Sequence, residues 1–398
     1  MTQCRFEDRL AGHARSLHVL RQRIEARRPD QLSAALDDID AARRAGHWVA
    51  LLLDYEVGEW LAPETTLPPP TGRPAASGAD TGEARLTALV FDRMQIEAPW
   101  PAPADADANA YAGPDAVATT VAQITAIHPR MARADYLRQI NTLRTLIAQG
   151  ELYQVNYTQP LDIQTQGDPQ QLYRRIAARH PVAHAAYIED GARTILSFSP
   201  ELFVRREGSQ LTVRPMKGTA PRHPDPGEDA RLGRELHNSE KNRAENLMIV
   251  DLLRNDLGRL AQPGTVRVPA LFSLERYPTV WTMTSTVTAE APDATFAEIL
   301  RALFPCGSIT GAPKVAAMRR IRQMEIAPRG LYCGAIGWLA PDGDFSLNVA
   351  IRTLILDKTG RGVYSVGGGI VHDSDPELEW QECLWKARIL QDALPAYG

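Results

Sequence analysis

The 398-residue sequence has only four cysteines, Cys4, Cys306, Cys333 and Cys383, and no two of them form a CxxC pair. That spacing excludes a disulfide framework, offers no zinc-ligand motif and fits a reducing compartment. Long hydrophobic runs are also missing: near the N-terminus the longest, Trp48 to Leu53, is far too short to span a bilayer. The opening MTQCRFEDRL is polar and carries acids, so it does not read as a signal peptide, and a cytoplasmic location is expected. Charge of one sign is lacking as well. With 44 basic and 48 acidic side chains the formal net charge is −4, which makes no electrostatic case for nucleic acid or for an anionic membrane surface. An anionic ligand would therefore need a local basic pocket. No internal repeat is present, which sets aside solenoid folds.

What is there is periodic. A helical pattern near 31–45 and an apolar strand at 48–54 precede two Pro/Ala-rich stretches, 62–82 and 98–118, that read as flexible loops. Residues 1–130 are expected to form an N-terminal segment intertwined with a catalytic core over 131–398. In that core Tyr136, Ile140, Leu143 and Ile147 share one helical face, with Gly150 as terminator. Strand signals at 153–161, 185–188, 194–198, 201–206 and 210–216, with turns at Asp190-Gly191 and Gly208, predict an antiparallel meander. Residues 229–260 read as helical, and Thr295 with Glu298 forms a capping box. Strands near 331–339, 346–356 and 363–366 are followed by a last helix running from Ser374-Asp375-Pro376 to about residue 393. Strands in runs, then helices, then strands again give an α+β class rather than a parallel βαβ array.

Four clusters can carry chemistry. Lys217, in RPMKGT (214–219), would alone be taken for a surface lysine; its functional reading is a nucleophile or an anion partner, with Gly218 allowing close backbone approach. Glu379, Glu382 and Lys386 fall on one helical face, either as a solvated Glu–Lys pair or as carboxylates for a hard cation beside a lysine for an anion. The adjoining Leu378, Trp385 and Ile389 are expected to serve the core. Glu245 lies in the helical segment Asn242–Asn246, where a glutamate is usually solvated. The loop from Cys306 to Lys314 resembles a phosphate cradle only superficially, since Ala312 stands where a Walker motif needs glycine. It and Gly367-Gly368-Gly369 retain a weaker reading, backbone N–H groups at a helix N-terminus receiving a carboxylate.

From about residue 133 to 393 the chain resembles the chorismate-utilising enzymes, a family that includes anthranilate synthase, aminodeoxychorismate synthase, isochorismate synthase and salicylate synthase. The resemblance is carried in order by FSPELF (198–203), RPMKGT (214–219), NRAENLMIVDLLRND (242–256), GSITGAPK (307–314), RGLYCGAIG (329–337), AIRT (350–353), GGGIV (367–371) and ELEWQECLWK (377–386). LLLDYEVG (51–58) matches only loosely. The resemblance implies a fold of the anthranilate synthase component I type, with orthogonally packed antiparallel sheets and helices outside. It also implies Mg²⁺ on Glu245 and Glu382, with Glu379 and Asn242 close behind. Tyr332, Arg352, Gly368 and Lys386 would hold the substrate carboxylates, Gln154, Thr310 and Gly311 would complete the contacts, and Glu201 would protonate the departing C4 hydroxyl.

Two positions discriminate within the family. Isochorismate and salicylate synthases use a lysine to activate water where this chain has Gln154, and glutamine cannot be a general base. Lys217 stands where anthranilate synthases usually have alanine and aminodeoxychorismate synthases have lysine. The resemblance therefore implies amination of chorismate at C4 on the route to p-aminobenzoate and folate. With no glutaminase signature in the sequence, ammonia is expected from a separate glutamine amidotransferase subunit. Anthranilate synthase component I and a non-catalytic chorismate-binding homologue are the alternatives. The lysine must be neutral to attack, which at its ordinary pKa costs roughly 4 kcal/mol at neutral pH. One departure stands out: Thr282 occupies a position where many relatives have histidine.

Overall fold

The computed structural model describes residues 2–65, 82–103, 122–277 and 280–394. The two stretches read as loops, 62–82 and 98–118, fall largely outside the described residues. The class is α+β. Among the described residues every strand pairing is antiparallel, and eighteen strands join edge to edge into one hydrogen-bonded network with helices around it. The expected separate sheets are thus continuous through shared strands. Both parts contribute to one hydrophobic cluster that includes Leu51, Tyr157, Phe198, Val204, Leu347 and Tyr364. No helix among the described residues is long and apolar enough to cross a membrane.

Local signals explain most helix starts. Asp168-Pro169, Asp225-Pro226 and Asp375-Pro376 each put an aspartate at the N-cap, its carboxylate accepting backbone N–H groups, and a proline whose missing N–H costs nothing there. Ser239 has the same capping role, and it divides the expected 229–260 helix into Pro226–Asn238 and Glu240–Gly258. The final helix is likewise shorter than expected: Pro376–Lys386 gives way to a 3₁₀ turn at Arg388–Ala393. Its core-facing side also differs. Leu378 and Trp385 are exposed, whereas Trp380 and Cys383 pack on Tyr136 of the Arg133–Ala148 helix, with ring centroids 5.3 Å apart and a 3.3 Å Oη–Sγ contact.

The meander expected over 185–216 is two hairpins instead. His184–Glu189 pairs with Thr194–Ser199 and Leu202–Glu207 with Gln210–Arg214, but the chain changes partners at Pro200. Thr194–Ser199 continues onto Thr353–Leu356, whereas Leu202–Glu207 continues onto Phe345–Val349. The strand expected at 346–356 breaks at the same level, where Arg352 takes a φ of +50°. Proline cannot donate to a ladder, so two neighbouring strands turn together here and leave Glu201, Ile351 and Arg352 on a cavity.

Three N-terminal strands had no clear pattern in the sequence: Gln3–Asp8, His13–Ala26 and Leu86–Glu97. The middle of His13–Ala26 is exposed and charged, which hides its alternation. Gln3–Asp8 lies between His13–Ala26 and His184–Glu189, and Trp48–Leu53 lies between Leu86–Glu97 and Ala335–Leu339. A buried polar network reinforces this interleaving. The fully buried Glu7 accepts from Arg5 Nε at 2.8 Å, Trp100 N at 2.9 Å and Tyr173 Oη at 3.2 Å, and also pairs with Arg9. Glu7→Gln leaves Arg9 without its anion and Arg5 with only the part-exposed Glu97, and should cost about 3–5 kcal/mol, read as a lower urea midpoint at unchanged m-value. A loss below about 1 kcal/mol would show that water reaches this network.

Candidate active site

A cavity of about 1060 Å³ opens where the paired strand breaks meet the Glu240–Gly258 and Pro376–Lys386 helices. Glu201, Lys217, Glu245, Arg352, Glu382 and Lys386 all line it, and Tyr332, Asn242 and Glu379 are on its walls as well.

Glu201 follows Pro200 directly, and the turn is pinned by Ser199 Oγ donating to Val349 O at 2.6 Å and Val349 N donating to Glu201 O at 3.0 Å. Its side chain is buried and accepts from Ser308 Oγ at 2.6 Å. Burial pushes the carboxyl up to about 7, with Ser308 and the charge of Lys217 pulling the other way. Lys217 sits in Met216–Pro221, beside a register irregularity against Val280–Glu290. Gly218, at φ +86°, turns toward the helices, where a Cβ would lie 3.1 Å from Asn242 Oδ1. Burial, together with Lys386, holds the Lys217 amine below the usual lysine range, although Glu245, Glu201 and Glu382 oppose the shift.

The glycine run lies inside the strand Arg361–Ile370, not at a helix N-terminus, and this corrects the anion-cradle reading. Side chains close on the bare backbone. A Cβ on Gly368 would stand 2.8 Å from Glu379 Oε2, and one on Gly369 would stand 2.4 Å from Gln154 Nε2 and 2.8 Å from Lys217 Nζ. Lys386 Nζ donates to Gly367 O and pairs with Glu382 Oε1, both at 2.6 Å. Lys386 holds the Glu382 carboxyl below its ordinary value. Burial would lower Lys386 itself, but Glu382 wins and raises it. Glu379 accepts from Ser374 Oγ at 2.7 Å and is raised by burial.

The remaining candidates divide. Tyr332 and Arg352 line the cavity, and the Arg352 guanidinium has no ion pair among the described residues. Gln154 is fully buried beside Lys217, with neither amide atom hydrogen-bonded. Thr310 and Gly311 are not on the cavity wall. The Thr310 hydroxyl donates within its own loop to Cys306 O and Gly307 O, and Gly311 packs against the Gln154 carbonyl. Their neighbours Ser308 and Ile309 line the cavity instead. Thr282 is buried with its hydroxyl unpartnered, opposite Thr219. The sequence pattern did not single out Ser308, although it lies in the GSITGAPK motif.

The acids on the cavity wall form an oxygen-only donor set. Glu245 has no hydrogen bond or ion pair among the described residues, and Glu379 is short of compensating positive charge. No three acids, histidines or cysteines among the described residues are close enough to hold an ion by themselves. Two carboxylates completed by water and ligand oxygens is the manner in which Mg²⁺ is usually held.

The chain belongs to the family of chorismate binding enzymes, whose model matches residues 6–392. It is 44% identical over 270 residues to aminodeoxychorismate synthase component 1 of Salmonella typhimurium, covering 67% of this chain and 59% of that protein. It is 39% identical over 328 residues to anthranilate synthase component 1 of Streptomyces coelicolor, covering 81% and 62%. The chain thus spans about six tenths of the length of these curated relatives. Among solved structures, anthranilate synthase component I from Streptococcus pneumoniae superposes with a TM-score of 0.78 at 25% identity, over 95% of this chain and 92% of that one.

The contact at Gly369 generates a test that needs no turnover. Lys217 should be acylated by a small amine reagent at a lower pH than the exposed lysines, as measured by peptide mass spectrometry. Gly369→Ala should remove that advantage by displacing the amine from its place beside Gln154. A Lys217 that labels like the surface lysines in both proteins would contradict its lowered proton affinity.

Proposed function

We propose that the chain is the chorismate-binding component of an aminodeoxychorismate synthase, replacing the C4 hydroxyl of chorismate by an amino group. The observation that carries this reading is the Lys217 amine, its proton affinity lowered by burial, in one cavity with the buried Glu201 carboxyl. Arg352, Lys386 and Tyr332 would receive the two substrate carboxylates. Glu245 and Glu382 would hold Mg²⁺ with Glu379 behind them, and the bound ion would neutralise charge on the ring carboxylate.

The neutral Lys217 amine attacks C2, both conjugated ring double bonds shift, and the C4–O bond breaks as Glu201 gives its proton to the hydroxyl, which leaves as water. Ammonia then attacks C4, both double bonds shift back, and the C2–N bond breaks to release the Lys217 amine. The proton shed by the new C4 ammonium returns to Glu201, so the cycle closes as chorismate plus ammonia giving aminodeoxychorismate plus water. Ammonia would come from the hydrolysis of glutamine by an amidotransferase. The product would serve p-aminobenzoate and folate synthesis in the cytoplasm.

Chorismate, Mg²⁺ and ammonium salt should therefore yield aminodeoxychorismate, and Lys217→Ala should lose at least about a hundredfold in rate. Without ammonia, a rapid quench should trap chorismate less one water on the peptide holding Lys217. Anthranilate as the product, or near-normal amination by Lys217→Ala, would overturn the reading. Glu382→Gln should lose Mg²⁺-dependent chorismate binding; unchanged metal dependence would remove Glu382 from the metal site.

The pH dependence has a fixed sign. Glu201 works protonated, so the rate should fall as pH rises through about 7. Lys217 works neutral, so on the acid side the rate should climb with pH. In Glu201→Gln the alkaline fall should vanish along with most of the activity.

A further inference from the structure

The Arg329–Glu325 pair is a buried ion pair that none of the proposed chemistry uses. Arg329 is 7% exposed and uses its planar fork on three separate elements. Nε and Nη2 hold the two Glu325 oxygens at 2.9 and 2.7 Å, Nη1 donates to Ile309 O at 2.8 Å, and Nη2 donates to Asn156 O at 2.6 Å. Glu325 Oε1 accepts in turn from the backbone N–H of Thr158 at 3.0 Å and from its hydroxyl at 2.8 Å. The pair thus ties the 307–310 loop to the strand Gln154–Gln166, a junction that Asn156 N reinforces by donating to Thr310 O at 2.8 Å.

Both carbonyls that Arg329 holds belong to residues on the cavity wall, Ile309 and Asn156. Ser308 adjoins Ile309, and its hydroxyl reaches Glu201 Oε1 at 2.6 Å. We propose that Arg329 is a positioning residue: by clamping the 307–310 loop it holds the Ser308 hydroxyl on Glu201, and so sets the orientation and proton affinity of that carboxyl. The proposal rests on the reading of Glu201 as the acid. A hydrophobic pair of similar volume would serve packing as well or better, because a buried ion pair seldom adds net stability. What apolar side chains, or a lysine with its point charge, cannot supply is a rigid fork that reaches two carbonyls and a carboxylate at once. Glu201 is also faced by Lys217 and Lys386, by the thiols of Cys306 and Cys333, and by the Met216 N–H. Arg329 makes no hydrogen bond to it and reaches it through the loop.

The test compares Ser308→Ala, Arg329→Lys and the double variant, by turnover and by the infrared band of the protonated Glu201 carboxyl, which Glu201→Gln identifies. Each single change should lower kcat roughly tenfold to a hundredfold with little change in KM for chorismate. The double should be no slower than the worse single, since the two residues act in series. The carboxyl titration should move up in both singles, because the Ser308 hydrogen bond favours the ionised form. Multiplied losses in the double, or an Arg329→Lys carboxyl that titrates as in the wild type, overturn the proposal. If Arg329→Lys does not fold, Glu325→Gln takes its place, with the same pattern expected and the same overturning results. A wild-type chain that makes no aminated product but shows the carboxyl shifts defeats the functional reading and leaves the positioning role standing.

Discussion

The site depends on a strand that has no side chains where its neighbours need the space. Gly367, Gly368 and Gly369 run through Arg361–Ile370 with regular pairing to Thr158, Tyr157 and Asn156, so the backbone is an ordinary ladder and only its surface is unusual. Against that bare surface come the Glu379 carboxylate and the Lys386 ammonium from the last helix, and the Lys217 amine from the strand Met216–Pro221. Glycine weakens a strand interior because it packs nothing and loses more entropy on folding. Here the loss is offset by the long ladder to Gln154–Gln166, which pairs all three glycines, while a short ladder to Thr353–Leu356 holds the start of the strand at residues 362–364. Any Cβ at 368 or 369 would displace a charged group from the cavity.

Burial then does two opposite things with one cause. It raises Glu201 and lowers Lys217, favouring the neutral form of each, while their mutual charge and the surrounding acids favour the ionised forms. Burial is the largest influence on both. A carboxylic acid and an amine that are each shifted toward the neutral form are suited to give a proton and an electron pair in the same turnover. A surface Glu–Lys pair would be locked as ions and could do neither. Glu382 and Lys386, in direct contact at 2.6 Å, are shifted the other way, toward charge, which suits binding rather than proton transfer.

Much of this was legible in the sequence, because the informative residues are types whose cost must be explained: a lysine before Gly-Thr, acids spaced by three, a run of three glycines. Illegible were features set by partners distant in the chain. The break at Pro200 matters only because Arg352 breaks beside it some 150 residues later, and neither local pattern announces the other. Ser239 looked like one more polar residue in a helical stretch until its hydroxyl capped Asn242 N. The orientation of the last helix was misread because Trp385 is apolar but serves the rim of the cavity, whereas the acidic Glu379 is buried against the glycine strand. Thr310 and Gly311, which the family resemblance placed among the substrate contacts, serve the closure of their own loop, and Ser308 and Ile309 face the cavity instead.

The N-terminal residues, which matched the family least well in sequence, nevertheless reach the site by a traceable path. Trp48–Leu53 ends at Asp54, and the chain then turns so that Glu56 accepts the backbone N–H groups of Arg329 at 2.8 Å and Gly330 at 3.1 Å. The Arg329 guanidinium lies 4.5 Å over the Tyr55 ring, while Arg85 pairs with Asp54 at 3.1 Å. Two acids share that one arginine in a dry place, and burial pushes Glu56 up to about 7. The segment LLLDYEVG therefore does not touch the cavity; it grips the residue that grips the cavity wall. Contact at one remove constrains shape and hydrogen-bonding capacity but not side-chain identity at the cavity itself.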